Sequence, residues 1–277
     1  QGFGNRELIN ADWYFNLGDI KYGGSEYFDH SEWRKLELPH DWSVEAVASP
    51  ELASCTGYLP GGIGWYRKDL DIPKVQNGNK VYIYFEGIYN NSEVFINGKW
   101  IGKRPNGYVS FMYELTPYLK FGGRNVLAVR VDHSQDADSR WYTGSGIYRD
   151  VYLVYANPVH IRLWGVSYSA KVNKKNAVLS VQTEVDNTGK LPVAVKVLHE
   201  VFDRDGKKVG AGSLDYSLRA GEMVKKELAV SIVQPKLWSL EDPYLYTIRT
   251  TLSKGGKVID RTETRAGIRS LTFDRSE

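Results

Sequence analysis

Apolar residues in this chain recur at every second position, and almost nowhere with the 3.6-residue spacing of an amphipathic helix. In residues 80–87, Val81, Ile83 and Phe85 alternate with Tyr82, Tyr84 and Glu86, and in 125–132 Leu127, Val129 and Val131 share one face. Each segment reads as a half-buried strand. The same criteria predict strands at 65–72, 94–97, 151–155, 178–185, 193–202, 228–233, 244–252 and 258–264. Asn77-Gly78, Asn97-Gly98, Gly122-Gly123, Asp205-Gly206 and Gly255-Gly256 supply the positive φ that tight hairpins require. An α/β fold would need crossover helices, and no stripe for them exists. The expected class is therefore all-β, built as sandwiches or jelly rolls, since no fixed repeat period appears.

The length, 277 residues, suggests two domains at about 150 residues each. A break is expected at Asn157-Pro158, because proline lacks a donor and restricts the residue before it, and because six of the eight tryptophans precede it. The expected domains are 1–157 and 158–268. The second carries about seven strands in about 110 residues, the size of an immunoglobulin-like sandwich. The single cysteine, Cys55, excludes an internal disulfide and a cysteine-based zinc cluster, and is a weak nucleophile candidate. Net charge is +3 with both signs interspersed, which argues against nucleic acid as a partner. The longest uncharged stretch, 52–66, is too short and too glycine-rich for a membrane-spanning helix. The chain opens Gln1-Gly2-Phe3, so a removed signal segment and a periplasmic or extracellular location are expected.

The densest chemistry lies at 136–149, where Asp136, Asp138, Arg140, Trp141 and Tyr142 crowd together. Aromatic faces match the C–H faces of a sugar ring, while Asp and Arg hydrogen-bond its hydroxyls. With equal weight, Trp141 and Tyr142 plug the end of a sandwich and Arg140 pairs with Asp138. The Gly-rich segment 57–67 lacks a phosphate-loop pattern and reads as a wide turn with Trp65 and Tyr66 tucked into the sheet. Of His40 and Asp41, one is expected to cap a turn and the other to be solvated. His30, His40, His133, His160 and His199 are scattered and read as structural, and no metal site is expected, the cluster Asp132, Asp136, Asp138 lacking a calcium loop's spacing.

Five motifs, LPHDW (38–42), GYLPGGIGWYRK (57–68), EVFINGKWIG (93–102), GYVSFMYELTPYL (107–119) and SRWYTGSGIYRDVYL (139–153), agree in order and spacing with glycoside hydrolase family 2. This group contains the β-galactosidases, β-mannosidases and β-glucuronidases, and the chain most resembles the Bacteroides-type β-galactosidase branch. LWSLEDPYLY (237–246) and AGIRSLTFD (266–274) are similar to the signals that close its immunoglobulin-like domain.

The resemblance implies a galactose-binding-like jelly-roll sugar-binding domain, then the immunoglobulin-like sandwich, with 269–277 starting a linker to a (β/α)8 barrel. Two barrel glutamates would do the retaining chemistry, so no catalytic residue is expected here. No cofactor is evident, although family members can bind a cation at the barrel site. Partners implied are a terminal β-galactoside or related glycan, the chain's own barrel, and a second copy in a homo-oligomer. The substrate loop corresponds to Asp138, Ser139, Arg140, Trp141 and Tyr142; Ser139 stands where the family has an acidic residue. Gly144, Gly146 and Arg149 are expected to be structural. A carbohydrate-binding or adhesion module that works without a partner domain is the alternative, as is a mannosidase or glucuronidase parent.

Overall fold

The computed structural model describes residues 4–135, 140–173 and 175–271, without the side chain of Cys55. Strands dominate, as period two requires. They are β1 (Asn5–Leu8), β2 (Trp13–Leu17), β3 (Arg34–Leu36), β4 (Gly62–Asp71), β5 (Lys80–Phe85), β6 (Ser92–Ile96), β7 (Lys99–Arg104), β8 (Phe111–Glu114), β9 (Arg124–His133) and β10 (Val151–Ala156). Then come β11 (Val159–Val172), β12 (Asn176–Asn187), β13 (Val193–Phe202), β14 (Lys208–Leu218), β15 (Met223–Val233), β16 (Tyr246–Lys254) and β17 (Lys257–Ala266). The contacts divide the chain into one compact unit at Arg6–Tyr155 and another from Ala156 onward, with which the described N-terminal residues through Asn5 are grouped.

In the first unit a sheet of order β1-β10-β5-β8 faces one of order β3-β2-β4-β9-β6-β7 across a core of Trp13, Tyr66, Ile83, Phe85, Phe111 and Leu127. The expectation of half-buried strands fails here. Ala128 and Val126 on β9 are buried nearly as fully as Leu127 and Val129, and Tyr82 and Tyr84 on β5 are buried as well. The reason is a second apolar layer: on the outer face of the six-stranded sheet, Trp65, Phe95 and Ala128 of its strands pack with Ile20, Phe28 and Trp33 from the segment between β2 and β3. The loop that brings Ile20 and Phe28 there is tied down by Arg67, which is wholly buried. Its guanidinium donates to the carbonyls of Gly23 and Phe28 and to Nδ1 of His30. On β5 the Arg6 guanidinium stacks 4.6 Å from the Tyr84 ring centroid, so that face too is covered.

The second unit is a seven-stranded immunoglobulin-like sandwich, β11-β12-β15 against β14-β13-β16-β17, with Val181, Val197, Tyr216, Ile248 and Leu252 between the sheets. Asn97-Gly98, Asp205-Gly206 and Gly255-Gly256 each join paired strands. Asn77-Gly78 and Gly122-Gly123 do not, because each lies where the chain passes from one sheet of the first unit to the other.

Candidate functional site

Two loops of the first unit meet around one carboxylate. Asp41, in the LPHDW segment, accepts through Oδ1 the backbone N–H groups of Ser43 at 3.0 Å and Ser145 at 2.8 Å. Its Oδ2 accepts the hydroxyl of Tyr142. The chain can close over this carboxylate only because residue 144 is glycine: a Cβ there would stand 2.8 Å from Oδ2, and φ is +75°. Burial, and then the Asp41 hydrogen bond, hold the Tyr142 phenol well above its ordinary pKa, so it stays protonated and donates.

Beneath the loops runs a directed chain of hydrogen bonds. The Pro60 carbonyl can only accept, so Ser43 Oγ donates to it at 2.6 Å; Ser145 Oγ then donates to Ser43 at 2.5 Å, and His133 Nδ1 donates to Ser145 at 2.7 Å. This sequence of donors puts the His133 proton on Nδ1. The Trp42 indole donates to the Gly61 carbonyl at 2.9 Å, joining the Gly-rich segment to the same floor. Beside it, Arg34 donates to His40 Nε2 at 2.8 Å, which leaves Nδ1 to donate to Tyr66 Oη at 2.7 Å. His40 is thus neutral, and burial lowers its pKa, against the opposing pull of Glu45.

Above this floor stand exposed aromatics. Trp141 is 61% exposed, Tyr108 50% and Tyr142 42%. The Trp141 indole donates to Tyr108 Oη at 2.9 Å, and the Tyr108 ring packs edge-on to Tyr89 at 5.3 Å. Tyr89 in turn packs on His133 at 5.0 Å and exchanges both backbone hydrogen bonds with Gly146. The arrangement is a rigid base carrying an aromatic rim beside hydrogen-bonding groups, which suits the apolar face and hydroxyls of a sugar.

A profile described as "Glycosyl hydrolases family 2, sugar binding domain" matches residues 8–158, and one described as "Glycosyl hydrolases family 2" matches 159–269. The chain belongs to glycosyl hydrolases family 2. It is 43% identical, over 97% of its length, to the β-galactosidase BoGH2A of Bacteroides ovatus, and covers 32% of that protein. It is 31% identical to a β-glucuronidase of Bacteroides fragilis, covering 96% of this chain and 38% of that one. A crystal structure of a family 2 member from Bacteroides cellulosilyticus superposes with a TM-score of 0.89 at 34% identity, over 97% of this chain and 37% of the other. The chain therefore spans about a third of the length of these family 2 relatives.

Of the loop residues that the family resemblance pointed to, Asp138 and Ser139, with Asp136, lie outside the described residues, and Arg140 is exposed. Trp141 and Tyr142 do not plug the sandwich, being 61% and 42% exposed, whereas Trp42, Tyr66 and Ile147 belong to its buried core. Asp41 does cap a turn, but His40 is buried rather than solvated, because Tyr66, Arg34 and Phe15 enclose it. Trp65 and Tyr66 are buried in the sheet, and Gly146 is structural in a plain sense: a Cβ there would lie 2.2 Å from Tyr66 Oη. Sequence reasoning passed over Tyr108 and Ser145 as site components and gave Asp41 no role beyond that of one of two residues, with His40, either of which could cap a turn. Their convergence spans more than a hundred residues, and no local spacing encodes it.

Proposed function

We propose that this family 2 chain is a non-catalytic, substrate-shaping portion of a retaining exo-glycosidase that hydrolyses terminal β-galactosides. In this reading the acid/base and nucleophile glutamates belong to a (β/α)8 barrel of the full-length protein, held about 5 to 5.5 Å apart as retention requires. The loop of Arg140, Trp141 and Tyr142, with Asp138 and Ser139 before it, completes the wall of the sugar pocket. The observation that carries the reading is the exposed Trp141–Tyr108–Tyr142 rim held on a fixed base. The choice of galactoside is supported by the higher identity to the protein named a β-galactosidase than to the one named a β-glucuronidase. The reading carries with it a periplasmic or extracellular location and a homo-oligomeric assembly.

The test is turnover of nitrophenyl β-galactoside, β-glucuronide and β-mannoside by the full-length gene product and by the 277-residue chain. The expected result is β-galactoside hydrolysis by the full product alone. Exclusive glucuronide or mannoside turnover, or glycoside hydrolysis by the short chain, overturns it.

A further inference from the structure

We infer that Asp41 is a positioning residue for sugar recognition, acting through Tyr142 to make its phenol oxygen an acceptor for a ligand hydroxyl. The inference rests on the proposed glycosidase reading and adds to it a residue and a hydrogen-bond polarity.

The argument begins from what Asp41 can do. A carboxylate only accepts, and both backbone N–H groups on Oδ1 are donors, so Oδ2 is left to Tyr142, its one partner among the described residues. The phenol proton is therefore committed to Asp41. A hydroxyl that gives its proton to a charged acceptor keeps its own lone pairs and becomes a stronger acceptor through polarisation along the chain of bonds. Tyr142 is 42% exposed and Trp141, the residue before it, 61%, so a ligand that reaches this loop meets phenol and indole together. A sugar hydroxyl is a donor of the right kind, and the neighbouring indole covers the C–H face of the same ring.

A purely structural role would not need this polarity. Tyr142 is held on an exposed loop, and the fold around Asp41 is already tied by Ser43, Ser145 and Trp42 to backbone carbonyls and to each other. The glycine at 144 removes the one atom that would block the approach of the Tyr142 loop to Oδ2.

The experiment compares Asp41→Asn, Tyr142→Phe and the double variant in the full-length protein, with nitrophenyl β-galactoside as substrate and thermal unfolding measured alongside. Asn keeps Oδ1 as an acceptor for the two N–H groups but turns an NH2 toward Tyr142, so the phenol must accept and its proton is turned outward. The expected result is a roughly tenfold rise in KM for either single variant with kcat changed by less than about twofold, and no further rise in the double variant, the mark of residues acting as a unit. Equal KM values for all four proteins, with only the unfolding temperature lowered, overturn the inference while the glycosidase reading stands. Additive KM effects overturn it as well, since Asp41 would then act without Tyr142. An unsubstituted protein that hydrolyses none of the nitrophenyl glycosides overturns the glycosidase reading, and the inference with it.

Discussion

Nε of Arg67 donates to Nδ1 of His30 at 3.1 Å, which fixes the imidazole proton on Nε2 and makes a wholly buried cation depend on a neutral ring and two carbonyls. Burial and the adjacent guanidinium both lower the His30 pKa. Burial likewise brings Arg67 down to about 10, which still leaves it charged at neutral pH. Arg67→Met keeps the apolar stem but leaves the Gly23 and Phe28 carbonyls without donors. Each loss costs about 1–3 kcal/mol when the group stays buried. Arg67→Lys is not expected to rescue it, because one ammonium cannot reach three acceptors arranged around a planar fork. Urea unfolding followed by tryptophan fluorescence reads both variants, Trp33 and Trp65 lying under the loop that Arg67 ties. A lysine variant as stable as the parent would show that charge alone holds the loop.

Gly146 combines a left-handed backbone with no room for a side chain. Its φ is +125°, and an added Cβ would meet Tyr66 Oη at 2.2 Å and the His40 carbonyl at 2.8 Å. Gly62 has a similar φ of +109° but nothing within 4 Å. Gly62→Ala should therefore cost only the conformational strain, about 1–3 kcal/mol. Gly146→Ala should cost more than that, because Tyr66 and His40 are fixed by the core and cannot retreat. The difference between the two unfolding free energies measures the steric part, and equal values would mean that the base of the site is soft.

Asn97 turns the β6–β7 hairpin at φ +49° and spends every polar atom of its side chain: Oδ1 accepts from Val126 N at 2.8 Å, and Nδ2 donates to the Tyr118 carbonyl and to Asn125 Oδ1, each at 2.8 Å. Asn97→Gly keeps the turn conformation and loses the bonds, while Asn97→Ala loses both. The alanine variant is expected to be the less stable of the two by about 0.5–1 kcal/mol, the usual difference for a left-handed position. Thermal unfolding of the pair decides it, and equal stabilities would assign the whole role of Asn97 to its hydrogen bonds.

What could be read from the sequence was whatever has a local signature. Period-two runs located β4, β5, β6, β9, β10, β12, β13, β15, β16 and β17 to within a few residues. β11 was hidden because its pairing with β12 jumps between Ile161 and Val166, so the inserted residues, with Trp164 at φ +55°, break the alternation. β14 was hidden by Gly210 and Gly212, which look like turn residues. They are needed because the Leu228 and Val230 side chains would stand 2.8–2.9 Å from any Cβ. In the site, the aromatic density of Trp141 and Tyr142 was visible, whereas its partner Asp41 stands 101 residues from Tyr142, in a motif whose local spacing does not point to that loop. The second apolar layer over β9 was equally invisible, since a loop rather than a periodic element supplies it.

Burial shifts His199 and Asp260 of the immunoglobulin-like unit with opposite consequences. His199 lies between Thr183 Oγ1 at 3.2 Å and Thr250 Oγ1 at 3.0 Å, and burial lowers its pKa to about 4. Asp260, which accepts the N–H of Ile161 at 2.8 Å, is pushed up to about 6, also by burial. The depressed His199 contributes stability that is present above its unfolded value of 6.5 and is lost as pH falls toward 4, an effect of about 3 kcal/mol. The raised Asp260 contributes stability that is present below its unfolded value of 3.8 and is lost as pH rises through 6; being part-exposed, it is worth about 2 kcal/mol. Between pH 4 and 6 the two trends oppose each other, and the unit's unfolding free energy is expected to vary little. His199→Gln should leave the Asp260 trend, with stability falling as pH rises across that window. Asp260→Asn should leave the His199 trend, with stability rising. Denaturant unfolding of the three proteins at pH 4, 5 and 6 checks the signs, and parallel profiles for both variants would refute the assignment of these two groups.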